Sequence, residues 1–259
     1  MNTTSDNVIN ADFYREQGYL VVENLVSEAK IKRIKQRTKD IATRTVPEFP
    51  IAKIELEPGA EKIDLSTVRK LNGCAENDPV FLAHAKNNRI LNVVQSLIGA
   101  DIKLFGSQCF MKPPGGVKKP YHQDSAYFTI EPMNLVTCWT ALDDVTLDKG
   151  PLWVIPGSHQ QGLYDHGKEW LVRGVGGRPE KQVSEELMDR RGEKPILMSA
   201  GSCSFHHSLL LHRSTANHSN QARRGLAVHY MSSHSRWTDR VKPQPAYLLL
   251  RGSEYLGCV

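Results

Sequence analysis

The sequence has no CxxC spacing, no run of five basic residues and no apolar stretch approaching the length of a membrane span. Each absence excludes something. Five cysteines (Cys74, Cys109, Cys138, Cys203, Cys258) are scattered and odd in number, which argues against a disulfide framework or a thiolate zinc site. Reduced thiols are expected, the first four as small buried apolar groups. The opening "MNTTSDNVINADFYREQ" is polar and lacks the basic-then-apolar order of a signal peptide, so a cytoplasmic protein with no membrane contact is expected. Basic residues are not interleaved with aromatics, which gives no footing for nucleic acid. The net charge of +5 falls entirely after residue 150, where 14 Lys and Arg face 9 Asp and Glu. A solvated surface accounts for that excess; attraction of a small anionic substrate is the sharper alternative.

What is present points to one domain over residues 1–259, mainly β with flanking helices. The first 100 residues read as a largely helical support. "NADFYREQ" forms a helix opened by Asn10, "GYLVVEN" a strand, and Ser27 caps a helix with Ile31, Ile34, Ile41 and Ala42 on one face. "NDPVFLAHAKNNRILNVVQSLIGA" gives two more helical pieces, ending near Gly99. From Asp101 the texture turns to short β-branched or aromatic segments separated by Pro, Gly, Asn and Asp, the pattern of an antiparallel sandwich or barrel. The polar stretch Gln160–Pro195, with a helix-like "SEELMDRRG", interrupts it and is a candidate lid.

"YHQDSAYF" carries the chemistry. With ten histidines in the chain, one His-x-Asp pair is close to what chance supplies, roughly half a pair. On a strand, however, His122 and Asp124 would aim an imidazole and a carboxylate at one point while Gln123 faces away. A third ligand must come from elsewhere. "FHHSLLLHRSTANHSNQARRGLAVHY" offers His206, His207, His212, His218 and His229, read as strand, polar turn and return strand. Two histidines and a carboxylate on one face leave positions open on a metal, the arrangement of non-haem Fe(II) oxygenases.

These blocks, with "DFYREQGYLVVENLVS" and "CWTALDDVTLDKGPLWVIPGSH", resemble the phytanoyl-CoA dioxygenase family of Fe(II)- and 2-oxoglutarate-dependent oxygenases over most of the chain. The resemblance implies a double-stranded β-helix (jelly-roll, cupin-like) core, with Fe(II), 2-oxoglutarate and O2 as cofactor and cosubstrates and a small-molecule substrate. It implies His122, Asp124 and His212 as metal ligands. Arg223, eleven residues beyond His212, would bind the far carboxylate of 2-oxoglutarate; strand parity alone leaves it level with Arg224. Ser214, Gln108, Trp139 and Lys70 fall at other cosubstrate positions. Tyr127, Phe128 and Arg69 are candidates to meet the substrate, with Arg173 and Arg178 further cations for an anionic one; His207 and His229 read as packed side chains. Because Asp124 is present, the resemblance favours hydroxylation over halogenation, leaving desaturation, epoxidation and cyclisation open. A non-catalytic binding relative and a zinc or manganese enzyme are the rival readings.

Overall fold

The computed structural model describes residues 9–170 and 180–259; Arg173, Arg178 and part of the candidate lid fall outside them. Two antiparallel sheets face each other. The larger runs β1 (Tyr19–Val22), β12 (Cys203–His207), β7 (Leu135–Ala141), β14 (Gly225–Ser232), β4 (Ile102–Phe110), β3 (Val68–Asn72) and β2 (Ile54–Leu56), with β16 (Leu248–Arg251) also on β4. The smaller is β11 (Lys194–Ile196), β8 (Leu152–Val154), β13 (His212–Ser214) and β5 (Lys119–His122). An antiparallel pair of β9 (Lys168–Trp170) and β10 (Glu180–Gln182) and a short pair of β6 (Ile130–Glu131) and β15 (Arg236–Trp237) complete the strands of the described residues. Strands that alternate between facing sheets are the jelly-roll arrangement.

Alternation along the large sheet separates two environments. Val136 and Cys138 of β7, Cys203 and Phe205 of β12, and Leu226, Val228 and Tyr230 of β14 join one apolar core with the helices. That layer comprises α1 (Ala11–Gln17), α2 (Glu28–Ala42), α3 (Cys74–Asn77), α4 (Pro79–Ala85) and α5 (Asn88–Ile98). Their partners one residue along, such as Thr137, Trp139, Ala227 and His229, face the interior between the sheets.

Local chemistry explains the helix ends. Asn10 accepts from the Phe13 N–H and Gly18 closes α1 at φ +79°. Asp78 caps α4 through the Val80 and Phe81 N–H groups and accepts from Arg37 Nε of α2 at 2.6 Å, tying the two helices. Ser27 stands at the N-cap of α2, but its hydroxyl makes no capping bond.

Several elements differ from the sequence reading. The first 100 residues are not helical support alone: β1, β2 and β3 lie in the large sheet, with β3 paired to β4. "FHHSLLLHRS" is not one strand, because Ser208–Leu211 turns a corner between β12 in one sheet and β13 in the other. "SEELMDRRG" holds only a 3-10 turn, Glu185–Leu187, since its apolar residues are too few to bury a helical face. Asp124 also lies beyond its strand, which ends at His122; it opens a 3-10 turn, Asp124–Tyr127. Gln123 keeps extended backbone between them, so the two-residue alternation survives. Its amide is spent behind the site on the Gly162 and Leu209 carbonyls and the Tyr164 N–H.

Candidate active site

His122 and His212 stand directly opposite each other on β5 and β13. Each ring Nδ1 lies against the carbonyl two residues before it, Pro120 at 2.9 Å and Leu210 at 3.0 Å. A carbonyl only accepts, so Nδ1 carries the proton and the Nε2 lone pair is left for a metal. Asp124 Oδ1 sits 3.8 Å from His122 Nε2 and 3.7 Å from His212 Nε2, and the three donor atoms lie within 4.8 Å of one another. Burial keeps both imidazoles neutral, pushing His122 well below its usual value and His212 down to about 4. Burial would raise the Asp124 carboxyl, but the surrounding histidines, His212 first, hold it well below the carboxylate range. Two neutral nitrogens and one anionic oxygen form a donor set ready for a divalent ion.

The other oxygen of Asp124 is held from behind. One cross-strand row of the large sheet, His206–Thr137–His229, runs over β12, β7 and β14. Thr137 Oγ1 donates to Asp124 Oδ2 at 2.9 Å, and His206 Nε2 stands 3.5 Å from the same oxygen. Having spent its only proton, the hydroxyl accepts from His229 Nδ1 at 2.8 Å. His229 thus lines the cavity, unlike His207, whose Nδ1 accepts from the Leu209 N–H and whose ring packs beside His159. No pattern in the sequence singles out Thr137.

The cavity beside these ligands is lined by Gln108, Trp139, Ser214, Arg223, Lys112 and Arg69 among others. The two adjacent arginines part company here. Arg224 is clamped by Asp143, Nε to Oδ2 at 2.7 Å and Nη2 to Oδ1 at 2.9 Å. Arg223 is 2% exposed and pairs with no acidic group among the described residues. Its Nη2 donates to the Gly150 carbonyl, its Nε has no partner among the described residues, and its guanidinium lies 5.2 Å from the centre of the Trp139 ring. Burial lowers it to about 10. A buried guanidinium with unspent donors fits a carboxylate group.

Lys70 is placed differently from its expected cosubstrate role. Its ammonium is spent on Glu55 at 3.1 Å and Glu180 at 3.5 Å, and it is not among the cavity-lining residues. Arg69 lines the cavity but is bound to the same pair, at 2.5 Å from Glu55 and 3.3 Å from Glu180. Burial opposes ionisation of Glu180, yet Lys119, Lys70 and Arg69 hold its carboxyl at about 2. Of the expected substrate contacts, Tyr127 is 40% exposed and its hydroxyl accepts from the Lys181 N–H of β10 at 2.6 Å. Phe128 packs against Phe105 and edge-on against His229. Neither is part of the cavity wall.

Comparison with known proteins accords with this geometry. The family model "Phytanoyl-CoA dioxygenase (PhyH)" matches residues 14–225. The chain belongs to the phytanoyl-CoA dioxygenase family of iron- and 2-oxoglutarate-dependent oxygenases. A probable phytanoyl-CoA dioxygenase of Caenorhabditis elegans is 30% identical, covering 84% of this chain and 73% of the relative. An L-proline trans-4-hydroxylase of Streptomyces griseoviridis is 28% identical over 84% of this chain and 83% of its own. In fold, EctD from S. alaskensis with bound Fe superposes with a TM-score of 0.75 at 20% identity, covering 98% of this chain and 90% of that one. The cofactors of the family are iron, 2-oxoglutarate and O2. No helix among the described residues is long and apolar enough to cross a membrane.

Proposed function

We propose that this phytanoyl-CoA dioxygenase family member hydroxylates an unactivated C–H bond of a small metabolite or natural-product intermediate, anionic ones included, with release of succinate and CO2. The same cofactors serving desaturation, epoxidation or cyclisation are the second reading, since the ligand set is common to all of them. His122, Asp124 and His212 hold the iron. Arg223 and Ser214 receive the far carboxylate of 2-oxoglutarate, and Gln108 and Trp139 wall its binding site. When bound, the iron supplies the oxidising chemistry, driven by oxidative decarboxylation of 2-oxoglutarate. The protein keeps His122 and His212 neutral, holds Asp124 ionised through Thr137 and His206, and orients the cosubstrate by its charged end. Five free thiols accord with a reducing compartment such as the cytoplasm.

One observation supports this reading above the others: a neutral-His, ionised-Asp cluster beside a buried arginine that has no acidic partner among the described residues. A zinc or manganese hydrolase would have no use for that arginine. Succinate formation should require both Fe(II) and 2-oxoglutarate, be lost with Zn(II), and fall to background in Asp124→Ala and His212→Ala. A panel of small amino acids and carboxylic acids should contain compounds that stimulate turnover. Undiminished succinate release from Asp124→Ala, or an activity equally supported by Zn(II), would refute the assignment.

A further inference from the structure

We infer that Lys112 is a second cation for the far carboxylate of 2-oxoglutarate, acting with Arg223 and Ser214 of the same cavity wall. This rests on the reading above that Arg223 and Ser214 receive that group. Lys112 was not singled out by the sequence, where it opens the turn "KPPGG" after β4. Its side chain lines the cavity, is 8% exposed, and forms no ion pair with a described residue. Nζ donates to Ser214 Oγ at 2.9 Å and to the Thr215 carbonyl at 2.5 Å. An ammonium has three donors, so one is unspent among the described residues. Ser214 Oγ accepts that bond and makes no other described one, so its own proton is free to donate into the cavity.

The backbone is arranged to hold this lysine where it is. Lys112 sits at φ +25°, a conformation a lysine adopts only under constraint. Its carbonyl accepts from the Arg223 N–H at 3.0 Å and from Asn217 Nδ2 at 3.1 Å, so the two cations are tied through the main chain. Gly116 makes room for the stem: a Cβ there would lie 3.0 Å from Lys112 Cγ and 2.9 Å from the Pro113 carbonyl oxygen. Two buried cations with no ion pair among the described residues are costly, and Glu57 on the same cavity wall offsets only part of that cost, acting on Lys112 without pairing with it. A carboxylate between them would accept from the guanidinium, the ammonium and the serine hydroxyl, relieving the cost that each imposes on the other. Lys70 does not supply this charge, because it is already spent on Glu55 and Glu180.

The test compares 2-oxoglutarate with 2-oxobutyrate, which keeps the metal-chelating end but lacks the far carboxylate. Both are titrated calorimetrically, without oxygen, into the Fe(II)-loaded protein and into Lys112→Met. The variant should bind 2-oxoglutarate about 10- to 100-fold more weakly and 2-oxobutyrate unchanged, with Lys112→Arg recovering part of the loss. Its metal-free form should melt no lower than the parent, because an amine whose charged form burial and Arg223 disfavour has been replaced by an apolar side chain. If Lys112→Met does not accumulate as folded protein, Lys112→Gln serves the same comparison. Equal weakening for both acids, or none for either, overturns the role of Lys112. A parent protein that binds neither acid overturns the cosubstrate reading itself.

Discussion

Thr137 places one hydroxyl between Asp124 and His229, and through it the large sheet reaches the metal ligands. Replacing it by valine keeps the shape, strips Asp124 Oδ2 of its donor and leaves the His229 N–H without an acceptor. Affinity for Fe(II), or for Mn(II) as a redox-silent substitute, should fall about 10- to 100-fold, as for other residues that orient a ligand. Anaerobic metal titration with a circular-dichroism control for folding measures this, and unchanged affinity would remove Thr137 from the site. At this scale the sequence was legible where chemistry and spacing coincide. His122 and Asp124 carry a two-residue spacing, and family resemblance adds His212 and separates Arg223 from Arg224. Lys112 and Thr137 had no such spacing: their roles come from pairing between strands remote in the chain. Lys70 misled because a lysine near the right place in sequence says nothing about the two carboxylates waiting for it.

Among elements, β14 shows what patterning conveys and what it conceals. "GLAVHYMS" is buried throughout, yet its alternate residues serve different ends, Leu226, Val228 and Tyr230 toward the helices and Ala227 and His229 toward the cavity. Its first residue is a glycine for a reason seen only across the sheet. A Cβ on Gly225 would fall 1.8 Å from Trp139 Cζ2, because the indole lies flat over that position beside Arg223. Gly225→Ala should therefore cost about 1–3 kcal/mol in stability and weaken 2-oxoglutarate binding by displacing Trp139. Chemical denaturation and ligand titration of the same variant report the two effects, and a neutral result in both would mean that the indole has another place to go. β4 was harder to read. Its pairing with β14 slips at Phe105, so Leu104 and Cys109 reach the helical core from either side of an irregularity while Phe105 turns to the cluster around Phe128 and Tyr247. A strand with such a bulge shows no clean alternation in its sequence. The three N-terminal strands are likewise short, and their membership in the sheet rests on long-range pairing that no local pattern announces.

For the molecule as a whole, the burial of so many imidazoles sets a pH limit. His84, His207, His212 and His229 are each lowered to about 4, first by burial. An unfolded chain takes up these protons near pH 6.5, whereas the native state resists them down to about 4. The stability tied to neutral histidines is therefore present above that range and is lost progressively as pH falls through it. Thermal melts of the metal-free protein should show a midpoint that drops between pH 6.5 and 4, with bound metal steepening the loss because protons compete for His122 and His212. A midpoint flat across that interval would show that the buried rings are protonated without penalty. Fold class was readable at this scale because turn residues punctuate short β-rich segments; how the strands divide between two sheets was not, because nothing local marks the corner at Ser208–Leu211.

The direct facing of His122 and His212 across β5 and β13 has a further consequence for which element the protein carries. Main-chain pairing of the two strands brings the imidazoles face to face, so the fold itself gathers the nitrogen donors into one cradle. A cradle of two nitrogens and one oxygen obeys the ordinary ranking of first-row divalent ions, in which nickel and copper outcompete iron. Affinity alone would therefore not select iron here; geometry and the supply of each ion would have to contribute.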